Sequence, residues 1–398
     1  MKDWKEYKLE DVCKRIASGG TPLTSKKEYY ENGTIPWLKT TEVNKEIIWA
    51  IDTFITEEGL KNSSAKLIPA NSIIVAMYGD GGTAGKAALT KIPLTTNQAC
   101  CNLTIDEEKA DYGFIFYFLK INYENLVNLK SGGSQQNLNA LTIRKFPILL
   151  PPLPTQRSIA SILSAYDKLI EVNNQSIKIL EETARELYKE WFVRMRFPGY
   201  KQAKFVKGVP EGCGEIKYFM DFIKLNRGFD LPEEQIKEGE YPVVASTSIK
   251  AYHNQFKVKA PIITTGRSGS LGTVLFVNQD GWPLNTSLYV KDFKGNEPLY
   301  VFYTLKNIDF ESFNSGAGVP SLNQNHLHKL KLWIAGKELQ VKFKDFVEPI
   351  FQQVEILQQQ NIQLRQIRDR LLPRLISGKL EVKTEKVLLN SETETKHN

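Results

Sequence analysis

The stretch SGGSQQNLNALTIRKFPI at residues 131–148 recurs, with many changes, as SGAGVPSLNQNHLHKLKL at residues 315–332. An offset of 184 residues places identical residues in register, among them Leu138 on Leu322, Asn139 on Asn323 and Lys145 on Lys329. The same offset places Gln156 on Gln340, so the repeat continues beyond the two stretches. A period of this length is too long for a solenoid, and it predicts two tandem copies of one domain.

Upstream of these stretches the offset drifts by a few residues, as loop insertions would cause. IIVAMYGDGGTAGKAAL (73–89) lies over APIITTGRSGSLGTVLF (260–276), and TTNQA, with Asn97, lies near PLNTS, with Asn285. Three glycines coincide in this alignment: Gly79, Gly82 and Gly85 fall on Gly266, Gly269 and Gly272. Short apolar runs bounded by glycine turns are typical of strands. Each half is therefore predicted to be a β-rich domain followed by a long helix, in the α+β class.

Both predicted helices carry a seam of mostly apolar residues whose spacing alternates between four and three, as in coiled coils. The first seam consists of Ile159, Leu163, Tyr166, Ile170, Asn173, Ile177, Leu180, Ala184, Leu187 and Trp191. The second consists of Phe343, Val347, Ile350, Val354, Leu357, Asn361, Leu364, Arg368, Leu371 and Leu375.

The seams predict that the two helices pair as an antiparallel coiled coil with pseudo-two-fold symmetry. Facing positions then have residue numbers that add to 534, and every seam position faces another. Asn173 falls opposite Asn361, where two amides can hydrogen-bond and fix the register. The alternative is that each helix packs only on its own domain.

The repeat and the seams together divide the chain into six predicted segments. They are a first β-rich domain at 1–154, a first spacer helix at 155–195, a linker at 196–212, a second β-rich domain at 213–337, a second spacer helix at 338–380 and a polar tail at 381–398. The stretch between the halves, residues 194–212, holds five basic residues before its first acid and two prolines, which is typical of a linker.

Composition limits the classes of function. The chain has 398 residues, enough for two domains with cores, and its formal net charge of +7 favours a nucleic-acid partner. Its four cysteines show no Cys-x-x-Cys spacing and no signal peptide precedes them, so we expect a cytoplasmic protein. No apolar run approaches the ~18 residues that a membrane span needs.

Motifs for catalysis are missing. GDGGTAGKA at 79–87 has five residues between the two glycines where a phosphate-binding P-loop has four, and Ala87 follows Lys86 where a P-loop has Ser or Thr. His326 and His328 have no third metal ligand nearby in the sequence, and the Asn-Pro-Pro-aromatic motif of amino-methyltransferases is absent. We therefore expect no catalytic residue, no metal site and no cofactor bound by this chain.

Polar loops rich in glycine, aromatic and basic residues point instead to recognition. They are SGGTPLTSKKEYYENGTIPWLKTTEVN at 18–44 in the first half, and LNRGFDLPEE at 225–234 and VVASTSIKAYHNQF at 243–256 in the second. Side chains of these types contact phosphates and read base edges. The alternative is that these are ordinary solvated loops.

Taken together, these features resemble the specificity subunit of type I restriction-modification systems. The blocks that carry the resemblance are SGGTP (18–22), IPWLKT (35–40), the glycine turn after IIVAMYG, the SGGSQQNLN signature and, most specifically, PILLPPLPTQRSIASIL (147–163). EWFVRMRFPGY (190–200) and LLPRLISGKL (371–380) close the two helices as in that family. The resemblance covers about residues 7–380. In the second half, LWIAGKELQ replaces the Pro-Pro-Leu-Pro block and NRGFDLP replaces the GGTP turn.

The resemblance implies a non-catalytic subunit for phage defence, whose two target recognition domains read the halves of a bipartite, asymmetric DNA sequence. Its partners would be double-stranded DNA, two methyltransferase subunits and, in the full complex, two restriction subunits. S-adenosylmethionine, ATP and Mg²⁺ would belong to those partners, which modify adenine at N6 and cleave DNA. Two other interpretations stay open: the recognition subunit of a fused nuclease-methyltransferase, and a coiled-coil scaffold whose β domains bind protein or sugar.

Loop position and side-chain chemistry predict the DNA contacts, with Arg and Lys on phosphate and Ser, Thr and Gln able to read bases. In the first domain these residues are Gly20, Thr21, Lys26, Lys39, Thr40, Lys86 and Gln135. In the second domain they are Arg227, Ser246, Thr247, Ser248, Lys250 and Arg267.

Overall fold

A computed structural model describes residues 3–79, 82–129, 137–206, 208–268, 270–314, 316, 321–322 and 327–382. Much of the two repeated stretches lies outside these ranges. The chain forms two compact units, one made of Met1–Val172 with Asn361–Asn398 and the other of Asn173–Gln360. Each unit therefore holds one β-rich domain together with part of each long helix.

The first unit is built from ten short strands around one buried helix. The strands are β1 (Lys5–Lys8), β2 (Cys13–Ser18), β3 (Ile35–Leu38), β4 (Ile47–Ile48), β5 (Phe54–Ile55), β6 (Ile73–Ala76), β7 (Ala87–Thr90), β8 (Thr95–Thr96), β9 (Cys100–Ile105) and β10 (Pro147–Leu150). The helices are α1 (Glu57–Lys61), α2 (Tyr112–Ile121), α3 (Tyr123–Val127), α4 (Ala140–Arg144) and the long α5 (Leu153–Tyr188), which ends in a π-helical turn at Lys189–Val193. Seven of the ten residues of the apolar α2 are buried, so it forms the centre of the core.

The second unit repeats this build. Its strands are β11 (Phe205–Val206), β12 (Val209–Pro210), β13 (Gly214–Tyr218), β14 (Lys224–Arg227), β15 (Tyr241–Val244), β16 (Ile249–His253), β17 (Ile262–Gly266), β18 (Val274–Val277), β19 (Trp282–Pro283), β20 (Ser287–Asp292) and β21 (Lys331–Ala335). Its helices are α6 (Phe219–Phe222), the buried α7 (Pro298–Lys306) and the long α8 (Lys337–Ile376).

Strand order confirms that the two units are copies of one domain. The order β2-β9-β6-β7 in the first unit matches β14-β20-β17-β18 in the second, β5-β3-β8 matches β16-β15-β19, and β1-β10 matches β13-β21. Both copies also contain the same parallel pair, β3 with β8 and β15 with β19. The largest sheet of the first unit has one strand more than its counterpart in the second unit, the edge strand β4.

A glutamine at the start of each long helix fastens that helix to its domain in the same way. Gln156 accepts a hydrogen bond from the backbone N–H of Asp111 at 2.9 Å and donates to the carbonyl of Pro151 at 2.8 Å. Gln340 accepts from the backbone N–H of Glu297 at 2.9 Å and donates to the carbonyl of Ala335 at 2.7 Å. The 184-residue offset therefore holds in the structure at the helix starts.

Replacing Gln156 with alanine is expected to lower the free energy of unfolding by about 1 to 3 kcal/mol, because a buried N–H and a buried carbonyl lose their partners together. Urea denaturation of the full chain measures the effect. Ser161→Ala, at an exposed position on the same helix, is the control and should change stability by less than about 0.5 kcal/mol. Equal stability of the two variants would contradict the role given to Gln156.

None of the predicted seam positions is exposed, and side chains of the two helices contact each other within each unit. In the first unit, Thr155 near the start of α5 lines the same pocket as Leu375 near the end of α8, so these two segments run antiparallel. In the second unit the ring centroids of Trp191 and Phe343, which the predicted register places opposite each other, lie 5.8 Å apart. Packing of each helix on its own domain alone is therefore excluded.

Polar seam residues are also buried. Asn173 and Asn361 are 5% and 3% exposed, and their facing across the seam stays a prediction. Arg368 interrupts the apolar seam inside the first unit, where it pairs with the buried Asp167, which also accepts a hydrogen bond from the hydroxyl of Tyr117. Burial alone would lower the pKa of Arg368, but Asp167 and the nearby carboxylates raise it above its usual range.

Candidate nucleic-acid interface

Three loops of the first domain meet through polar side chains. They are the 3₁₀ turn Thr40–Lys45, the glycine turn between β6 and β7, and the segment that follows β8. Asn44 joins the first two, because its amide donates to the hydroxyl of Thr83 at 3.4 Å and accepts from Lys86 Nζ at 2.8 Å. Thr40 joins the first and third by donating to Asn97 Oδ1 at 2.8 Å. The loops therefore form one connected polar surface, which the buried Thr40 and Thr83 support from below.

A second polar link ties the loop after β2 to this surface. The hydroxyl of Thr21 donates to Oε1 of Gln98. The close approach depends on Gly19, where a Cβ atom would lie 2.2 Å from the carbonyl oxygen of Asn97. The SGGTP block thus serves to bring the Thr21 side chain against the segment after β8.

The predicted contacts of the first domain do not all lie on the surface. Lys26 and Lys39 are exposed, and Lys26 Nζ lies 5.0 Å above the ring of Tyr29. Gly20 and Thr40 are buried, and the carbonyl of Gly20 accepts a hydrogen bond from Trp37 Nε1 at 3.0 Å, so both support the loops from below; their contact with DNA stays a prediction. Gln135 lies outside the described residues.

The second domain carries a corresponding chain of polar contacts. Asp230 accepts a hydrogen bond from the amide of Asn285, and its carboxylate lies 3.6 Å from Arg227. The guanidinium of Arg267 donates to the carbonyl of Asn285 at 3.3 Å. Three of these four residues carry charge, so this surface differs in chemistry from the neutral Thr21–Gln98 link of the first domain.

The other predicted contacts of the second domain lie at the tip between β15 and β16. Ser246, Thr247 and Ser248 form a turn that is closed by a hydrogen bond from the N–H of Ala245 to the carbonyl of Ser248, at 2.9 Å. Thr247 and Ser248 are exposed. Lys250 is half exposed and pairs with Glu233. This exposed ion pair contributes little to stability and leaves the lysine accessible.

Backbone hydrogen bonds establish which residues of the two domains are equivalent. The N–H of Gly19 donates to the carbonyl of Cys100, and the N–H of Gly228 donates to that of Ser287 in the same way. From this anchor, Thr21 corresponds to Asp230 and Gln98 to Asn285. The second half therefore keeps the GGTP turn (19–22) in the form GFDL (228–231), although the sequence suggested that it was lost.

Two details of the sequence alignment were wrong. Gln98, and not Asn97, is equivalent to Asn285. Gly85 and Gly272 do correspond, with φ of +91° and +83°, but Gly266 corresponds to Ala76 rather than to Gly79. The turn between β6 and β7 of the first domain is three residues longer than the turn between β17 and β18 of the second. A single alignment offset therefore cannot fit both ends of the turn.

On this shared backbone the two domains present different side chains. Arg267 stands where the first domain has Met77, since the carbonyl of each accepts from a leucine N–H, that of Leu322 or Leu138. Lys86 of the first domain is replaced by Thr273 in the second. The basic residue thus moves from one end of the turn to the other between the copies.

Sequence reasoning missed Asn44, Gln98 and Asp230, which make the polar links just described. The only signal was the repeated TTNQA and PLNTS segments, which were aligned one residue out of register.

The three cysteines of the first unit are buried or partly buried. Burial raises the pKa values of Cys13, Cys100 and Cys101 to about 12, so these thiols stay protonated and are poor nucleophiles at neutral pH. In the described ranges no three His, Cys, Asp or Glu side chains are close enough to hold a metal ion. None of the helices described is sufficiently long and apolar to cross a membrane.

Two copies of a β-rich domain, each with a loop surface of its own and each joined to paired long helices, define a two-domain recognition protein. Residues 1–182 and 215–366 match the family described as the type I restriction modification DNA specificity domain. The chain belongs to this family and is a type I restriction-modification specificity subunit.

Individual relatives agree with this assignment. The type I restriction enzyme MjaIX specificity subunit of Methanocaldococcus jannaschii is 28% identical over 417 residues, covering 96% of this chain and 94% of the relative. The EcoR124I/EcoR124II specificity subunit of Escherichia coli is 33% identical over 41% of each chain. The crystal structure of the S subunit from M. genitalium has the same fold, with a TM-score of 0.61 at 18% identity, over 94% of this chain and 96% of that one.

Proposed function

We propose that the chain recognises a bipartite, asymmetric DNA target, with one half read by each domain, and brings methyltransferase and restriction subunits to it. The observation that supports this most strongly is the shared backbone with divergent side chains. Thr21 and Gln98 in one domain are replaced by Asp230 and Asn285 in the other, and Met77 by Arg267. Two domains with the same backbone and different hydrogen-bond donors and acceptors can recognise two different half-sites.

The long helices would set the distance between the half-sites. At 1.5 Å per residue, the 36 residues of α5 span about 54 Å. In this proposal the methyl donor, ATP and Mg²⁺ are used by the partner subunits, and the target adenine leaves the base stack in the methyltransferase. The predicted domain boundaries and the Asn173–Asn361 register belong to the same proposal.

Duplex DNA binding, measured with the methyltransferase partner across a range of salt concentrations, tests recognition. We expect the logarithm of the affinity to fall linearly with the logarithm of salt concentration, because phosphate contacts release counterions. One split sequence should also be retained over shuffled competitors. An affinity that ignored both salt and sequence would support the alternative of a scaffold with two ligand-binding β domains.

Neighbouring genes discriminate the remaining alternative, a fused nuclease-methyltransferase. Separate reading frames for a methyltransferase and for a helicase-nuclease favour the proposal, and one fused frame contradicts it.

A further inference from the structure

A cleft of about 220 Å³ lies on the first unit, between the strands β4 and β7, the start of α2 and the outer side of α5. Its walls include Trp49, Lys91, Tyr112, Arg157, Ser164 and Lys168. Lys91 directly follows β7, whereas Lys86 of the recognition loops directly precedes it. The two lysines are five residues apart along this strand, or about 16 Å at the rise of an extended chain, so the cleft is distinct from the recognition surface.

Three basic side chains in the cleft have no carboxylate partner in the part of the chain that the structure describes. Lys91 donates to the amide oxygen of Asn71 at 3.1 Å, and Arg157 donates to the backbone carbonyl of Glu107 at 3.3 Å. Burial lowers the pKa of Lys91 and the charge of Lys168 lowers it further, while Asp111 and Asp167 oppose the shift without cancelling it. Two cations that repel each other in a partly buried cleft are stabilised by an anion.

The two carboxylates that border the cleft are already engaged elsewhere. Asp111 caps the N-terminus of α2 by accepting from the N–H of Phe114 at 2.9 Å. Asp167 accepts hydrogen bonds from Arg368 and Tyr117. They offset the basic charge only in part, and the N-terminal end of the ten-residue α2 adds a further positive potential.

The second unit retains the cleft without the three basic residues, and its own lysine, Lys344, lies 3.7 Å from Glu348. A cleft of about 150 Å³ lies at the equivalent place. Asn278 stands there in place of Lys91, Gln352 in place of Lys168, and Glu348 in place of Ser164. Two copies of one partner surface, docked equivalently on the two units, would meet opposite charges in the two clefts. A ligand that binds only the first unit therefore explains the difference in charge between the two clefts better than a partner shared by both units.

We propose that the cleft of the first unit binds the phosphate group of a small ligand, either free phosphate or a nucleotide. Lys91 and Lys168 would neutralise the phosphate, and Trp49 offers an aromatic face beside them. Nothing in the recognition of DNA by the loops requires this site.

Isothermal titration of the full chain with inorganic phosphate, AMP and ATP, in the absence of Mg²⁺, tests the proposal. We expect Lys91→Gln and Lys168→Gln each to weaken binding about tenfold or more, the effect of losing one charge-assisted hydrogen bond. Lys168 is exposed, so its variant should fold normally. Lys344→Gln, in the equivalent cleft of the second unit, is the matched control and should bind like the wild type.

Tighter binding of AMP or ATP than of phosphate supports the site with a nucleotide as its ligand, and equal binding supports it with free phosphate. If none of the probes binds, or if both lysine variants bind like the wild type, the proposal fails. Displacement of bound phosphate by saturating duplex DNA would also overturn it, because the lysines would then contact the DNA backbone.

Discussion

Arg368→Met should destabilise the first unit by about 3 to 5 kcal/mol, the largest loss of stability that we expect from a single substitution at the helix pair. Arg368 and Asp167 are 7% and 6% exposed, so removal of the guanidinium leaves a buried carboxylate without its cation. The carboxylate of Glu46 lies 3.7 Å from Arg368 and also pairs with Lys120 at 2.6 Å, so Glu46 retains a cationic partner in the variant. In urea denaturation, the transition of the first unit should move down by more than about 1 M.

The triple variant Tyr117→Phe, Asp167→Leu and Arg368→Met is the matched comparison, because it removes every polar member of the buried group together. Its stability should return to within about 1 kcal/mol of the wild type, since buried ion pairs can be replaced by apolar residues at little cost. A triple variant as unstable as Arg368→Met would show that the charges themselves hold the helices to the domain.

Arg267→Ala should weaken binding to the DNA target by about 1 to 3 kcal/mol, or roughly 5- to 150-fold, and relax base preference in one half-site only. This expectation replaces the phosphate contact that the sequence predicted for Arg267. It follows from the placement of Arg267 at the loop surface of the second domain, where its equivalent in the first domain is Met77. Competition between single-base variants of the target measures both effects.

Lys201→Ala is the control for Arg267→Ala, because it removes one exposed positive charge outside both loop surfaces. It should leave base preference unchanged. If Arg267→Ala weakened binding to all sequences equally, Arg267 would be a phosphate contact and would not read a base.

The sequence was most informative where chain length does not vary. Gln156 and Gln340 obey the 184-residue offset in the structure because helices tolerate no insertions in a packed seam. The offset failed in the turns, where three additional residues in the first domain shift Gly79 away from Gly266. Gly228 was overlooked for a related reason, since only the backbone hydrogen bonds reveal that it replaces Gly19.

The hydrogen-bond and ion-pair partners of side chains were the feature that the sequence predicted least well. Thr21 and Gln98 are 77 residues apart in the sequence, and Asp167 and Arg368 are 201 apart. The seam pattern treats Arg368 as a polar interruption and gives no indication that Asp167, which lies next to a seam position, will pair with it. Such pairs depend on the tertiary packing of elements that are distant in the chain.

Mapping of N6-methyladenine in the DNA of a host that carries this chain with its methyltransferase partner tests the central claim most directly. The account predicts one split, asymmetric motif for the wild type, and for Arg267→Ala a motif that is degenerate in one half and unchanged in the other half and in the spacer. A continuous motif, or a loss of preference in both halves at once, would contradict the assignment of one half-site to each domain.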